Sequence, residues 1–177
     1  MTGQPTWATV CATGHRPQHL TTAERLWVRG ELARIVVKLR DECGMTCGVS
    51  GMAIGTDLWW AAALVDAGVD LWAHVPFPQQ PNPWEARNPD AYAEWHRLCR
   101  VAKRLKTYGG RYDVRTLHAR NDGMLDVSAA VVAVWKRSQT TGGTASAVEK
   151  ANRRGLPIIH LDPERQTVTL RSLTSCS

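Results

Sequence analysis

Short apolar runs alternate with longer amphipathic stretches along nearly the whole chain, and this alternation is how a parallel sheet joined by crossover helices is written. The first run covers residues 7–13 and stops at Gly14-His15-Arg16-Pro17. Thr21 precedes Glu24 by three residues, the spacing of a capping box, so a helix is predicted to begin there. Val28, Leu32, Ile35, Val36 and Leu39 then recur at helical spacing, and Gly44 sits where the chain can turn out of the helix. A weaker strand over 45–50 leads through the loop 51–55 into a helix over 56–67 closed by Gly68, and 70–75 reads as a third strand. Beyond the proline-rich segment 76–83, Asn88 and Pro89 supply an N-cap and a first helical residue, with Tyr92, Trp95, Leu98, Ala102 and Leu105 facing one way. A strand over 106–108, a short helix over 120–127 and a fully buried strand over 129–135 follow. The loop 139–144 opens a helix that ends before Gly155, 157–161 forms a central or near-edge strand, and 166–170 adds an edge. No repeat or linker interrupts the pattern, so the expectation is one α/β domain over residues 1–177. Its fold class is Rossmann-like, a doubly wound, mostly parallel sheet with helices on both faces.

Charge and cysteine content narrow the partners. The net charge of +6 favours the approach of any polyanion, phosphate ligand or nucleic acid, without choosing between them. The cations are spaced along predicted helices with no basic cluster standing out, as on a solvated face. No apolar run is long enough to cross a bilayer, which argues against a membrane partner, and the opening residues carry no export pattern, so a cytoplasmic location is expected. Cys11, Cys43, Cys47, Cys99 and Cys176 are odd in number and scattered, which suits reduced thiols and not a disulfide framework. Cys43 and Cys47 have no second ligand pair at close spacing, so no metal site is expected.

In an open α/β sheet, ligands bind outside the carboxyl ends of the strands, near the point where strand order reverses. Four glycine-rich or polar clusters directly follow predicted strands: 13–17, 50–57, 76–80 and the segment through Gly142-Gly143-Thr144. Glycine lets backbone N–H groups approach an anion, and a following helix aims its unpaired N–H groups at the same place. The loops 51–57 and 142–144 combine both features, so phosphate or a phosphate-like group is the expected occupant, with Arg16 and Arg120 nearby. His15 is the one histidine in such a loop, where it can donate to phosphate, the favoured role, or cap the turn. Neither loop carries the dinucleotide or P-loop fingerprint, which disfavours ordinary dehydrogenase and ATPase assignments.

Taken together, TGHRP after the first strand, SGMAIGTD after the second, PFPQQ after the third, Arg120-Asn121 ahead of Met124 and Asp126, and the late TGGTASAV resemble the SLOG superfamily. The likeness is to its YpsA-like branch, with kinship to the DprA and LOG branches, and runs over about residues 7–163. The resemblance implies a Rossmann-like protein, able to form homo-oligomers, that binds a nucleotide or nucleotide derivative as ligand and requires no other cofactor. It places Gly14, His15 and Arg16 along the pocket and Gly51 and Gly55 against phosphate, with Thr13, Ser50 and Met52 also among the ligand-binding residues. Asp57 would brace the loop or meet a ribose hydroxyl, with Phe77 and Gln80 alongside. Arg120 and Asn121 would close one side, while Gly142, Gly143 and Thr144 hold a second anionic or sugar group.

Three functions stay open, of which a sensor or binding module is favoured. The first alternative is a nucleoside-monophosphate N-glycosidase. Such hydrolysis needs a carboxylate near the anomeric carbon, and LOG enzymes carry a glutamate three residues after the threonine of the late glycine motif. Ala147 stands there. Glu149 lies five residues beyond Thr144, roughly 7 Å along a helix, and Asp57 and Asp126 also suit capping roles. The second alternative is single-stranded DNA binding of the DprA type, for which Trp59, Trp60 and Trp84 are the candidate stacking residues. An exposed Trp59-Trp60 pair would equally serve as an interface.

Overall fold

The structure, a computed structural model, describes residues 6–171. Its strands are β1 (Thr9–Gly14), β2 (Cys47–Ser50), β3 (Asp70–Val75), β4 (Arg104–Thr107), β5 (Ala130–Val134), β6 (Ile158–Asp162) and β7 (Thr167–Arg171). The helices are α1 (Thr22–Cys43), α2 (Thr56–Asp66), α3 (Pro89–Val101), α4 (Val114–Asp126) and α5 (Gly143–Arg153). One seven-stranded sheet results, in the order β4-β3-β2-β1-β5-β6-β7. Every neighbouring pair is parallel except β6 with β7. Among the described residues no helix is long and apolar enough to cross a membrane.

Local chemistry sets these elements. The Glu24 N–H donates to Thr21 Oγ1 at 3.2 Å while the Thr21 N–H donates to Glu24 Oε2 at 2.7 Å, so the capping box starts α1 as expected. Gly44 ends that helix at φ 66°, a left-handed conformation that glycine adopts at little cost. Asn88 accepts the Ala91 N–H at 3.2 Å and caps α3 ahead of Pro89. The run Ala130–Val134 is buried throughout, as a central parallel strand requires.

Side chains alternate across the sheet with the strand period of two. Val10, Ala12, Val132 and Val134 pack with Val28, Leu32, Trp60, Leu64 and Leu98, placing α1, α2 and α3 on one face. Cys11, Val49, Val131 and Ala133 pack with Met124, Leu125, Val148 and Ala151, placing α4 and α5 on the other. The doubly wound architecture follows from this division.

Two expected elements end elsewhere. The spacing groups Leu105 with the apolar face of the third predicted helix, but α3 stops at Val101 and Leu105 lies in β4, 51% exposed. The Lys103 N–H donates to Leu71 O at 2.8 Å, so the edge of β3 captures the chain before another helical turn can form. The helix expected from residue 120 starts at Val114, because Asp113 accepts the Arg115 N–H at 2.8 Å and caps it there. All four residues of β4 are exposed, and Arg104 lies 4.5 Å over the Trp72 ring. Cations on an edge strand oppose pairing with other chains. Cys11, Cys43, Cys47 and Cys99 are free thiols; Cys176 lies outside the described residues.

Replacing Thr21 with alanine removes the hydroxyl half of the capping box. The expected loss is about 1 kcal/mol, seen as a melting temperature roughly 2–4 °C lower for a chain of this size. Differential scanning calorimetry measures it, and an unchanged midpoint would show that the box contributes nothing.

Candidate functional site

The chain leaves β1 for α1 on one face of the sheet and leaves β5 for α5 on the other, so the carboxyl ends of these adjacent strands border an uncovered seam. A cleft of about 530 Å³ opens there. Thr13, Gly14, His15 and Arg16 line it from β1 and the turn that follows. Arg120 and Asn121 reach it from α4, and Gly142, Gly143 and Thr144 from the start of α5. Asp57 comes from the first turn of α2.

The remaining expected positions stand behind this wall. Ser50, Gly51, Met52, Gly55, Phe77 and Gln80 are not among the lining residues. Ser50 Oγ donates to Asp57 O at 2.7 Å and accepts the Met52 N–H at 3.1 Å. Gln80 Nε2 donates to Gly51 O at 3.1 Å, and its Oε1 accepts from Trp95 Nε1 at 3.0 Å. Phe77 packs edge-on against Tyr112. At Gly55, with φ 95°, a Cβ would lie 2.8 Å from Pro17 Cδ and 3.0 Å from His15 O. That glycine therefore seats α2 against the turn after β1, where Thr56 Oγ1 donates to His15 O at 3.0 Å. The 51–55 loop spends its polar groups internally, and only Ala53 of it reaches the cleft.

The start of α5 is different. Gly142 holds φ 106° and serves as N-cap with no side-chain cap. The N–H groups of Gly143 and Thr144 find no acceptor among the described residues. Such a terminus presents free donors and the positive end of the helix dipole.

Arg120 supplies the charge beside it. Its side chain is 9% exposed and faces an equally buried Asp57, with Nη1 3.6 Å from Asp57 Oδ2. Nη1 also donates to Gly51 O, while Nε is buried with no hydrogen-bond partner among the described residues. Burial lowers the Arg120 pKa and raises that of Asp57, and the attraction between the two opposes both shifts. Arg16 is exposed at the rim, and while its carbonyl accepts the His19 N–H at 3.0 Å, its side chain makes no hydrogen bond or ion pair among the described residues.

His15 is buried, and its Nε2 accepts the Lys136 N–H at 3.0 Å. The neutral ring then carries its proton on Nδ1. Burial, with His19 and Lys136 adding positive charge, lowers its pKa from 6.5 to about 4. Lys136 is itself tied to Glu24 at 2.8 Å, which joins the loop after β5 to the start of α1. Arg25 donates to Pro17 O at 2.6 Å and holds the short 3-10 turn that carries Gln18 and His19 to the cleft.

Of the three candidate carboxylates, only Asp57 lines the cleft. Asp126 accepts from Arg154 at 2.6 Å, and Glu149 lies 3.7 Å from Arg153; both are exposed. Trp59 and Trp60 do not form an exposed pair: Trp60 is fully buried, and Trp59, like Trp84, is half-buried against the same core.

Cys11, Met124, Leu125, Val131 and Ala147 also line the cleft, although strand and helix periodicity identify them only as core. Met124 and Leu125 follow Arg120 by four and five residues, and Ala147 follows Thr144 by three, so helical spacing from the polar candidates is the signal that finds them.

Acidification tests the electrostatics. A histidine lowered on folding contributes stability that is complete above pH 6.5 and lost as the pH falls toward 4. His15→Gln keeps an acceptor for Lys136 but cannot titrate. Its stability should fall less across that window, the slope changing by at most about 1.4 kcal/mol per pH unit. His74, lowered to the same degree, keeps part of the dependence. Urea titrations at stepped pH measure the difference, and identical slopes would remove His15 as its source.

No protein-family model matches the chain, and no curated protein sequence matches it. Its fold is similar to that of DNA processing protein A (DprA) from Streptococcus pneumoniae, with a TM-score of 0.62 at 17% identity over 88% of this chain and 50% of that one. The chain thus spans half the length of that protein. DprA from Helicobacter pylori, solved for its single-stranded DNA binding mode, is similar with a TM-score of 0.61 at 16% identity, covering 92% of this chain and 71% of that one. The molybdenum cofactor carrier protein of Chlamydomonas reinhardtii gives a TM-score of 0.53 at 16% identity over 92% and 80% of the two chains. At these identities the property in common is the fold, a Rossmann-like α/β domain.

Proposed function

We propose that this chain is a binding or sensing module for a nucleotide or nucleotide derivative, similar in its motifs to the YpsA-like branch of the SLOG superfamily. One observation carries the reading. Free amides at the start of α5, the unpartnered Nε of a guanidinium nine-tenths buried at Arg120, and the unpaired Arg16 all border a single cleft at the switch point. A helix N-terminus with two arginines is a recognition site for phosphate, since each supplies donors and positive charge without acceptors. His15, neutral with its proton on Nδ1, adds an uncharged donor. The Helicobacter pylori DprA binds single-stranded DNA and the Chlamydomonas reinhardtii protein carries the molybdenum cofactor, and their likeness to this chain in fold supports a ligand-binding reading.

Binding without turnover is favoured by Ala147, which puts a methyl group where a catalytic carboxylate would stand. Hydrolysis of a nucleoside monophosphate keeps one candidate. Asp57 lines the cleft and burial raises its pKa, as a general acid or base would need. Asp57 is held by Arg120 and accepts the Ala53 N–H at 3.4 Å, however, a bracing role that ties up its Oδ2.

Titrating the protein with nucleoside mono- and diphosphates, dinucleotides and cyclic nucleotides should raise its melting temperature, by an amount equal to about 2.7 kcal/mol at a hundredfold excess over Kd. Arg16→Ala should weaken binding by roughly tenfold or more through loss of a charge-assisted hydrogen bond. No shift with any of these ligands would refute the reading. Chromatography of a nucleoside monophosphate after long incubation tests the hydrolase alternative: free base that disappears with Asp57→Asn would establish turnover, and unchanged substrate would remove it.

A further inference from the structure

Lysine and arginine are not spread evenly along the chain. Residues 97–120 hold eight of its 22 cations and one of its 16 acidic residues, a net +7 in a chain of net +6, so the rest of the molecule is close to neutral. The linear pattern sets these cations on solvated helix faces, but α3 ends at Val101 and the chain then becomes β4, an outermost strand of the sheet. Arg97 and Arg115 are held in ion pairs with Glu94 and Asp113. Arg100, Lys103, Arg104 and Lys106 are exposed and form no salt bridge among the described residues.

The strand itself is open to a partner. All four residues of β4 are exposed and, among the described residues, only β3 pairs with it, so one side of its backbone has no ladder. Side chains alternate across a strand, which puts Arg104 and Lys106 on one face and the half-exposed Leu105 on the other. Aromatic rings steady both cations. Arg104 lies 4.5 Å over Trp72, which packs against the core under α4, and Lys106 lies 4.8 Å over Tyr108, whose hydroxyl is hydrogen-bonded to His74 Nδ1 at 2.8 Å. A second β4 laid on this edge would bring its own cations alongside and be repelled, whereas a strand with carboxylates at alternate positions would be drawn in.

We infer that β4 is a docking edge for an extended acidic segment of a partner protein, which adds one further strand to the sheet, its carboxylates beside Arg104 and Lys106 and an apolar residue between them beside Leu105. In such an addition the main-chain hydrogen bonds give affinity and the alternating side chains give selectivity. Nucleic acid suits the edge less well. The cations cover the ring faces on which bases would stack, and a phosphate has no donor for the free carbonyls of the strand. The edge is separate from the cleft, which none of these residues lines.

Fluorescence anisotropy of the full chain with a labelled peptide in which glutamate alternates with valine tests the inference. The peptide should bind with an affinity that falls as salt rises, and a lysine–valine peptide should not bind. Two further peptides carry the same charge, one methylated at the glutamate backbone nitrogens and the other at the valine nitrogens. Only one of these sets faces β4, so one peptide should bind roughly tenfold or more weakly and the other as before. Arg104→Glu combined with Lys106→Glu, both at exposed positions, should transfer the preference to the lysine–valine peptide. Equal binding by the two methylated peptides would reduce the contact to charge alone and overturn strand addition, as would a double variant that keeps the acidic preference. Tighter binding of an oligonucleotide or of anionic vesicles than of the acidic peptide, lost in the same variant, would assign the edge to those partners instead. Failure of the acidic peptide to bind would overturn the inference outright.

Discussion

Strands β1 and β5 lie side by side yet send their chains to opposite faces of the sheet, so no connection can cross the seam between their carboxyl ends. Everything in the candidate site follows from that gap. The turn after β1 brings His15 and Arg16 to its edge, the loop after β5 delivers the start of α5, and α4 crosses nearby on its way from the sheet edge back to β5. A cleft at this point is a property of the winding, and the residues that border it decide what it can hold.

The costliest group at the border is Arg120. Desolvating a guanidinium costs several kcal/mol, and its pairing with Asp57 and the carbonyl of Gly51 offsets only part of this while Nε has no partner. The same arrangement explains Gly51, where a Cβ would lie 2.7 Å from Arg120 Cζ and 2.7 Å from Asp57 Oδ2. Sequence reading assigns that glycine to close approach of a phosphate. In the fold it permits close approach of a side chain. Arg120 and Asp57 thereby join α4 to α2 across the cleft and set its width, and a bound anion would provide the missing acceptor.

Polarity then divides the cleft. Donors and cations stand where helix α5 begins, and one turn later the same helix offers only Ala147 to a wall of Met124 and Leu125. A carboxylate at that position would place charge opposite any developing positive centre on a sugar. A methyl group there leaves contact area and, at that position, no group that transfers a proton.

The sheet, its winding and most helix boundaries were legible in the linear pattern, because strand and helix periods and caps such as Thr21–Glu24 and Asn88–Pro89 act over a few residues. The polar candidates at 13–16 and 142–144 were legible for the same reason, since each follows a strand or opens a helix, whereas Arg120 and Asn121 were placed by the order of the motifs and lie in the middle of α4. The sequence did not reveal which glycine loop keeps its amides free. Gly55 and Gly142 both precede helices with positive φ, but Gly55 is pressed against Pro17 and Gly142 meets nothing within 4 Å. Nor did it show that Met124, Leu125 and Ala147 face a cavity, or that Trp60 is sealed in the core. Local pattern determines which face of an element is apolar. What that face meets depends on contacts between segments far apart in the chain, and only the packed sheet brings those together.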